Sequence, residues 1–245
     1  MPDDPIKTLI EWVREAKKIV FFGGAGVSTE SGIPDFRGID GLYTKTYDYP
    51  PEVILSHPFF MQKPLEFYRF YKDKMIFTDI LPNPCHFALA KLEAAGTLIG
   101  VITQNIDGLH QLAGSKKVLE LHGSIHKNHC LNCHKTYGLD AIIKAEGIPR
   151  CDCGGIIRPD VVLYGETLDQ NVLNAAIGQI QEADLLIIGG TSLSVYPAAS
   201  LIRYYHNDKL VLINKTETAY DDLAHLIIKE PIGTVFSRLD AALKR

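Results

Sequence analysis

Several features that would assign a class at once are missing from this 245-residue sequence. No apolar run approaches the ~20 residues that a bilayer-spanning helix needs, and Met-Pro-Asp-Asp-Pro at the start lacks the basic, then apolar, order of a secretory signal. A cytoplasmic protein is therefore expected. There is no basic excess either: 25 Lys and Arg stand against 29 Asp and Glu, a net charge of −4, which argues against a nucleic-acid footprint. No internal repeat and no low-complexity tract interrupts the chain. Cysteine is scarce, with only five residues: Cys85 and a cluster of Cys130, Cys133, Cys151 and Cys153. In a cytosolic chain such a cluster points to a metal rather than to disulfides. What is present, 46% hydrophobic and 22% charged residues, suffices for one large folded domain with a smaller appendage.

The hydrophobic pattern alternates between helix and strand. A helical stripe over 6–17 leads into the apolar run 19–22, read as a buried strand. Residues 38–81 change character, rich in Tyr and Phe and cut by Pro50, Pro51, Pro58 and Pro64, and read as a helical insertion. Beyond it the pattern predicts a helix over 84–95, strands over 98–103 and 118–121, a strand at 161–163, a helix over 169–182, a strand at 185–188, a helix through 198–205 and a strand at 210–213. Strands this continuously apolar are buried on both faces, as in a parallel sheet. The fold class expected is α/β.

Four stretches carry chemistry. The first strand ends in Gly23, Gly24 and Gly26, where strand should give way to helix, followed by Ser28 and Thr29, a turn whose backbone can approach an anion closely and whose following helix start can point N–H groups at it. Thr29 stands where the dinucleotide fingerprint has its third Gly, and no acidic residue closes a second strand about 20 positions on, so a plain tight turn remains open. The irregular segment Ser31-Gly-Ile-Pro-Asp35-Phe36-Arg37 that follows is suited to covering a ligand. Gln104, Asn105 and Asp107 fall at the carboxyl end of a strand, where open α/β sheets bind ligands, or they merely cap the next helix. His122 sits at another strand end, as a base or as a structural histidine. The cysteine spacing, two residues between Cys130 and Cys133 and one between Cys151 and Cys153, suits four thiolates around one tetrahedral Zn2+ with no open position. Replacement of a thiolate by His126, His129 or His134, or no metal at all, are the alternatives.

Taken together, Gly24-Ala-Gly-Val-Ser28, Gly32-Ile-Pro-Asp-Phe-Arg37, Thr103-Gln-Asn-Ile-Asp107, Leu121-His-Gly123, the paired cysteines, Gly190-Thr-Ser192 and Ile213-Asn214 resemble the sirtuins, NAD-dependent protein lysine deacylases, from about residue 18 to residue 236. The resemblance implies a Rossmann-like parallel-sheet domain (1–37, 79–123 and 158–245) with a smaller inserted domain made of a helical module (38–78) and a zinc-binding module (124–157). It implies cofactor contacts from Gly24, Ala25, Gly26, Ser28, Asp35, Phe36, Arg37, Gln104, Asn105, Ile106 and Asp107 on the pyrophosphate and nicotinamide side. Gly190, Thr191, Ser192, Asn214, Lys215 and Ile232 would serve the adenosine half. Catalysis would rest on His122 as general base, with Asn105 and Asp107. An acylated-lysine peptide would add as a strand between 162–165 (Val162, Leu163, Tyr164, Gly165) and 194–196, where Val195 lies. The zinc would be structural. Products would be free lysine, nicotinamide and O-acyl-ADP-ribose. Mono-ADP-ribosyl transfer at the same site and a non-enzymatic NAD-responsive binding module are the competing readings. In the family branch that removes succinyl and malonyl groups, a Tyr-x-x-Arg pair binds the extra carboxylate. Here Tyr68 is followed by Tyr71, so both tyrosines are expected to face the acyl channel and uncharged acyl groups to be preferred.

Overall fold

The computed structural model describes residues 4–35 and 47–244. Helix α1 (Pro5–Glu15) opens the chain, capped by Asp4, whose side chain accepts the Ile6 N–H, and buries Ile6, Leu9 and Val13. Strand β1 (Ile19–Gly23) is buried throughout. The helix expected after its glycines is absent. Two single 3-10 turns, Ala25–Val27 and Thr29–Ser31, take its place, because Gly32 at φ 97° closes the second and Pro34 follows at once.

Helices α2 (Pro51–Ile54), α3 (His57–Gln62) and α4 (Pro64–Lys74) each carry a proline in the first turn, so the prolines that cut this region also start its helices. Then come α5 (Pro84–Ala94), β2 (Leu98–Thr103), α6 (Leu109–Leu112) and β3 (Val118–Glu120). The cysteine-bearing stretch supplies β4 (Gly123–Cys130), β5 (Thr136–Tyr137), α7 (Asp140–Ile143) and β6 (Ile157–Val161). The chain continues through α8 (Gln170–Glu182), β7 (Leu185–Gly189), a 3-10 segment Ala198–Tyr204, β8 (Leu210–Ile213), β9 (Leu226–Ile228) and α9 (Ile232–Leu243).

Six strands form one sheet in the order β3-β2-β1-β7-β8-β9, and every pairing is parallel. Counting only these six, the order is 3-2-1-4-5-6, the doubly wound dinucleotide-binding arrangement, and it reverses between β1 and β7. Successive residues of β1 feed opposite cores. Ile19 and Phe21 pack with α1, α5 and α9, while Val20 and Phe22 pack with α8 and the 3-10 segment. A third core joins Phe60, Phe67 and Tyr71 of the helical insertion to Ile125 and Ile157 of a three-stranded antiparallel sheet, β5-β4-β6.

The run 161–163 therefore differs from its expectation. Val161 ends β6, which pairs antiparallel with β4 in the small sheet, and burial alternates along this strand as it does where one face alone meets a core. The boundary expected at 158 falls inside β6. No helix among the described residues is long and apolar enough to cross a membrane.

Candidate active site

The reversal point of the large sheet puts two glycine turns against each other. Gly26 donates its N–H to the Gly190 carbonyl at 2.7 Å, and Gly24 donates to the Gly189 carbonyl at 3.3 Å. The approach leaves no room for side chains: a Cβ on Gly26 would lie 2.8 Å from Gly190 Cα, and one on Gly190, whose φ is 60°, would lie 2.3 Å from the Val27 nitrogen. Above this crossing opens a cleft of about 1090 Å³, in the crevice where such sheets bind nucleotides.

The strand-end residues of β2 line that cleft and are tied to one another. Gln104 donates its backbone N–H to the Gly23 carbonyl at 2.9 Å and its side-chain amide to Thr191 Oγ at 3.0 Å, joining the ends of β1, β2 and β7. Ser28, 1% exposed, donates to Asp107 Oδ2 at 2.7 Å and accepts from Asn105 Nδ2 at 3.1 Å. Asp107 also accepts the Leu109 N–H at 2.9 Å. Burial pushes the Asp107 carboxyl up, and its two hydrogen-bond donors oppose the shift.

His122 faces the same cleft from the turn after β3. Its Nδ1 lies 3.0 Å from the Gln104 carbonyl oxygen, which can only accept, so Nδ1 carries the proton and Nε2 keeps its lone pair. Burial pulls its pKa down, with the Gln104 bond acting in the opposite direction, so the ring is a neutral acceptor at neutral pH. The next residue has to be glycine. Gly123 sits at φ 76°, where a Cβ would lie 1.9 Å from the Asp160 carbonyl.

Ala25, Gly26, Asp35 and Ile106 also line the cleft, as do Gly190, Thr191, Ser192 and Asn214 on the β7 and β8 side. Gly24 lies beneath Thr191, Lys215 is exposed outside the cleft lining, and Ile232 packs against Gly189 within the core. Phe36 and Arg37 lie outside the described residues.

Val162, Leu163, Tyr164, Gly165 and Val195 border the cleft. Tyr164 pairs with the α2–α3 turn, its N–H on the Leu55 carbonyl at 2.9 Å and its carbonyl receiving the His57 N–H at 3.0 Å. Glu166 secures this segment and was not singled out in the sequence. It accepts the Leu163 N–H at 2.9 Å, Arg158 Nη2 on both oxygens at 2.6 Å, and His57 Nδ1 at 2.7 Å. A carboxylate one position after a glycine was its only signal.

Tyr68 is a correction. Its hydroxyl donates to the Ile157 carbonyl inside the third core, and it does not line the cleft, whereas Tyr71 does. The two share a helix face, but Phe60 and Phe67 enclose the Tyr68 ring. The Lys72 ammonium is spent on the Ala145 and Gly147 carbonyls.

Away from the cleft, the sulfurs of Cys130, Cys133, Cys151 and Cys153 lie within 4.8 Å of one another, with Cys130–Cys153 at 3.4 Å and Cys133–Cys151 at 3.5 Å. A tetrahedron with ~2.3 Å Zn–S bonds has an edge of ~3.8 Å, so the cluster fits one Zn2+ with all four positions filled by protein. The Cys153 N–H and the Tyr137 hydroxyl, 2.9 Å from Cys151 Sγ, pull the Cys151 thiol down, while the neighbouring sulfurs push Cys153 up. None of the three nearby histidines belongs to the cluster.

Sheet order, paired glycine turns and a neutral histidine at the carboxyl edge define a doubly wound dinucleotide-binding enzyme with a cysteine-built metal module. Comparison with known proteins narrows this class. The Sir2 family model matches residues 24–197, and the chain belongs to that family. It is 58% identical over 236 residues to an NAD-dependent protein deacetylase of Clostridium acetobutylicum, covering 95% of this chain and 96% of that protein. A protein of the same name from Clostridium perfringens is 54% identical over 241 residues, covering 97% and 99%. Among solved structures, a Sir2 protein with a p53 peptide and NAD+ superposes with a TM-score of 0.86 at 41% identity, covering 98% of each chain.

Proposed function

We propose that this chain is an NAD-dependent protein-lysine deacetylase, and the observation that carries the reading is the tautomer of His122. A ring whose Nδ1–H is committed to the Gln104 carbonyl presents a bare Nε2 to the cleft, which is what a general base requires. Bound NAD would supply the ribose carbon from which nicotinamide departs and the ribose hydroxyl that takes the acetyl group, with one water consumed as the lysine amine is released, giving O-acetyl-ADP-ribose. The chain's own groups divide the remaining work. The turn at Gly24, Ala25 and Gly26, bare of side chains at its two glycines, lets the pyrophosphate approach the backbone closely, Gly190, Thr191, Ser192 and Asn214 flank the adenosine half, and Gln104, Asn105, Ile106 and Asp107 orient the nicotinamide ribose. His122 Nε2 removes a ribose hydroxyl proton. The acetylated peptide adds as a strand between 162–165 and 194–196.

The same reading divides the chain into a nucleotide-binding domain and a small domain, the latter extending through β6, with a structural zinc held by the four cysteines. The four free thiolate donors suit a reducing compartment, and we place the protein in the cytoplasm. The experiment is incubation with an acetyl-lysine peptide with and without NAD, read by mass spectrometry. Loss of the acetyl mass only with NAD supports the reading. Gain of ADP-ribose on the peptide instead would favour mono-ADP-ribosyl transfer.

A further inference from the structure

On the far side of β1 from the 3-10 segment, α5 and α6 bring two imidazoles together. His86 and His110 are both buried, their ring centroids 4.7 Å apart and their planes tilted by 57°. His86 Nδ1 accepts the Asn83 backbone N–H at 3.2 Å, so the proton of the neutral ring sits on Nε2. That N–H is buried without a partner, as are both nitrogens of His110. Burial pulls His86 down to about 4 and His110 to about 3, the latter also opposed by His86, so both rings are neutral at pH 7. Each then holds one donor and one acceptor. His86 has a spare donor and His110 a spare acceptor, on rings whose centroids lie 4.7 Å apart.

We propose that His86 and His110 share this N–H and act as positioning residues for the nucleotide site, an inference that rests on the deacetylase reading given above. On one side, Asn83 caps α5 with His86 and donates its side-chain amide to the Val27 carbonyl at 2.7 Å and to Ser31 Oγ at 3.0 Å, gripping the segment that carries Ser28. On the other side, His110 belongs to α6, whose first N–H, from Leu109, is held by Asp107. Ser28 and Asp107 meet in their 2.7 Å hydrogen bond inside the cleft. The imidazole pair thus closes the back of a ring of contacts whose front is that bond. Simple core filling would need no nitrogen at either position.

The test uses the zinc-loaded full chain. In protein labelled with 15N-histidine at pH 7, the expected signature is a slowly exchanging His86 Nε2–H with a scalar coupling to a His110 nitrogen. In kinetics, His110→Phe should raise the KM for NAD about three- to tenfold while leaving the peptide KM unchanged, the loss expected for one misplaced hydrogen bond. His110→Gln, which keeps an acceptor, should recover most of that loss. Absence of the coupling, an unchanged NAD KM in His110→Phe, or an equal rise in the peptide KM would overturn the proposal. If His110→Phe does not fold, the coupling in the wild-type protein decides. A wild-type protein inactive on acetyl-lysine peptide would defeat the deacetylase reading instead, while the coupling would still stand or fall on its own.

Discussion

In the proposed reaction His122 would bear the heaviest chemical load of any single residue, and its environment dictates what its loss should do. The ring is fixed by one hydrogen bond to the Gln104 backbone, so His122→Ala removes the base without disturbing the Gln104–Thr191 bond that joins the strand ends. Deacetylation should fall by ~10²- to 10⁴-fold, with NAD affinity within a few-fold of wild type by calorimetry. Near wild-type turnover would remove His122 from the base role. Acid stability offers a second test. His86 and His110 have folded pKa values lowered to about 4 and about 3, below the unfolded ~6.5. The unfolded chain therefore binds more protons in that window, so stability should fall as pH drops from about 6.5 and should gain nothing from these groups above it. Thermal melts of His110→Phe should show a shallower acid slope than wild type, and an identical slope would contradict the assignment. The site residues legible in the sequence were those in short contiguous motifs, such as Gln104-Asn105-Ile106-Asp107. His86 with His110, and Glu166 with Arg158, escaped because their partners meet only through the fold.

Secondary-structure elements decide the acyl preference. Helix α4 presents Tyr71 to the cleft, its hydroxyl buried and uncharged, with the Lys72 ammonium tied to carbonyls near α7. Burial pushes the Tyr71 hydroxyl up, so it stays neutral. An acyl group ending in a carboxylate would be desolvated beside that neutral hydroxyl, and Lys74, the cation of α4 that lines the cleft, is already paired with Asp73 at 3.1 Å, so burying the acyl carboxylate is costly. Succinyl-lysine peptide should be processed at least ~10-fold less efficiently than its acetyl counterpart in kcat/KM, and equal efficiency would contradict this. The α/β rhythm was readable because buried parallel strands are continuous apolar runs, as at 98–103 and 210–213, both of which form with those bounds. Strand β6 was misplaced because three apolar residues carry no periodicity. The turns after β1 were read as helix because glycine spacing marks a phosphate turn without stating how long the following helix runs.

At the scale of the whole molecule, the core shared by the helical insertion and the small sheet lies apart from the two cores of the large sheet, and in the proposed division the smaller module would depend on its cysteines. Cys130 and Cys151 are buried in the third core beside Ile125 and Ile157, so a metal there would organise β4 and β6 together. Cys130→Ala, or stripping with a chelator, should lower the melting temperature and abolish activity through loss of that module, with one zinc per chain found by metal analysis of the intact protein. A metal-free protein that is stable and fully active would contradict it. The central claim is that one cleft couples NAD cleavage to lysine deacetylation. Its most direct measurement is the stoichiometry of a single reaction with an acetyl-lysine peptide and NAD. The account predicts one nicotinamide and one O-acetyl-ADP-ribose for each lysine freed, whereas free acetate with no NAD consumed, or nicotinamide released without deacetylation, would contradict it.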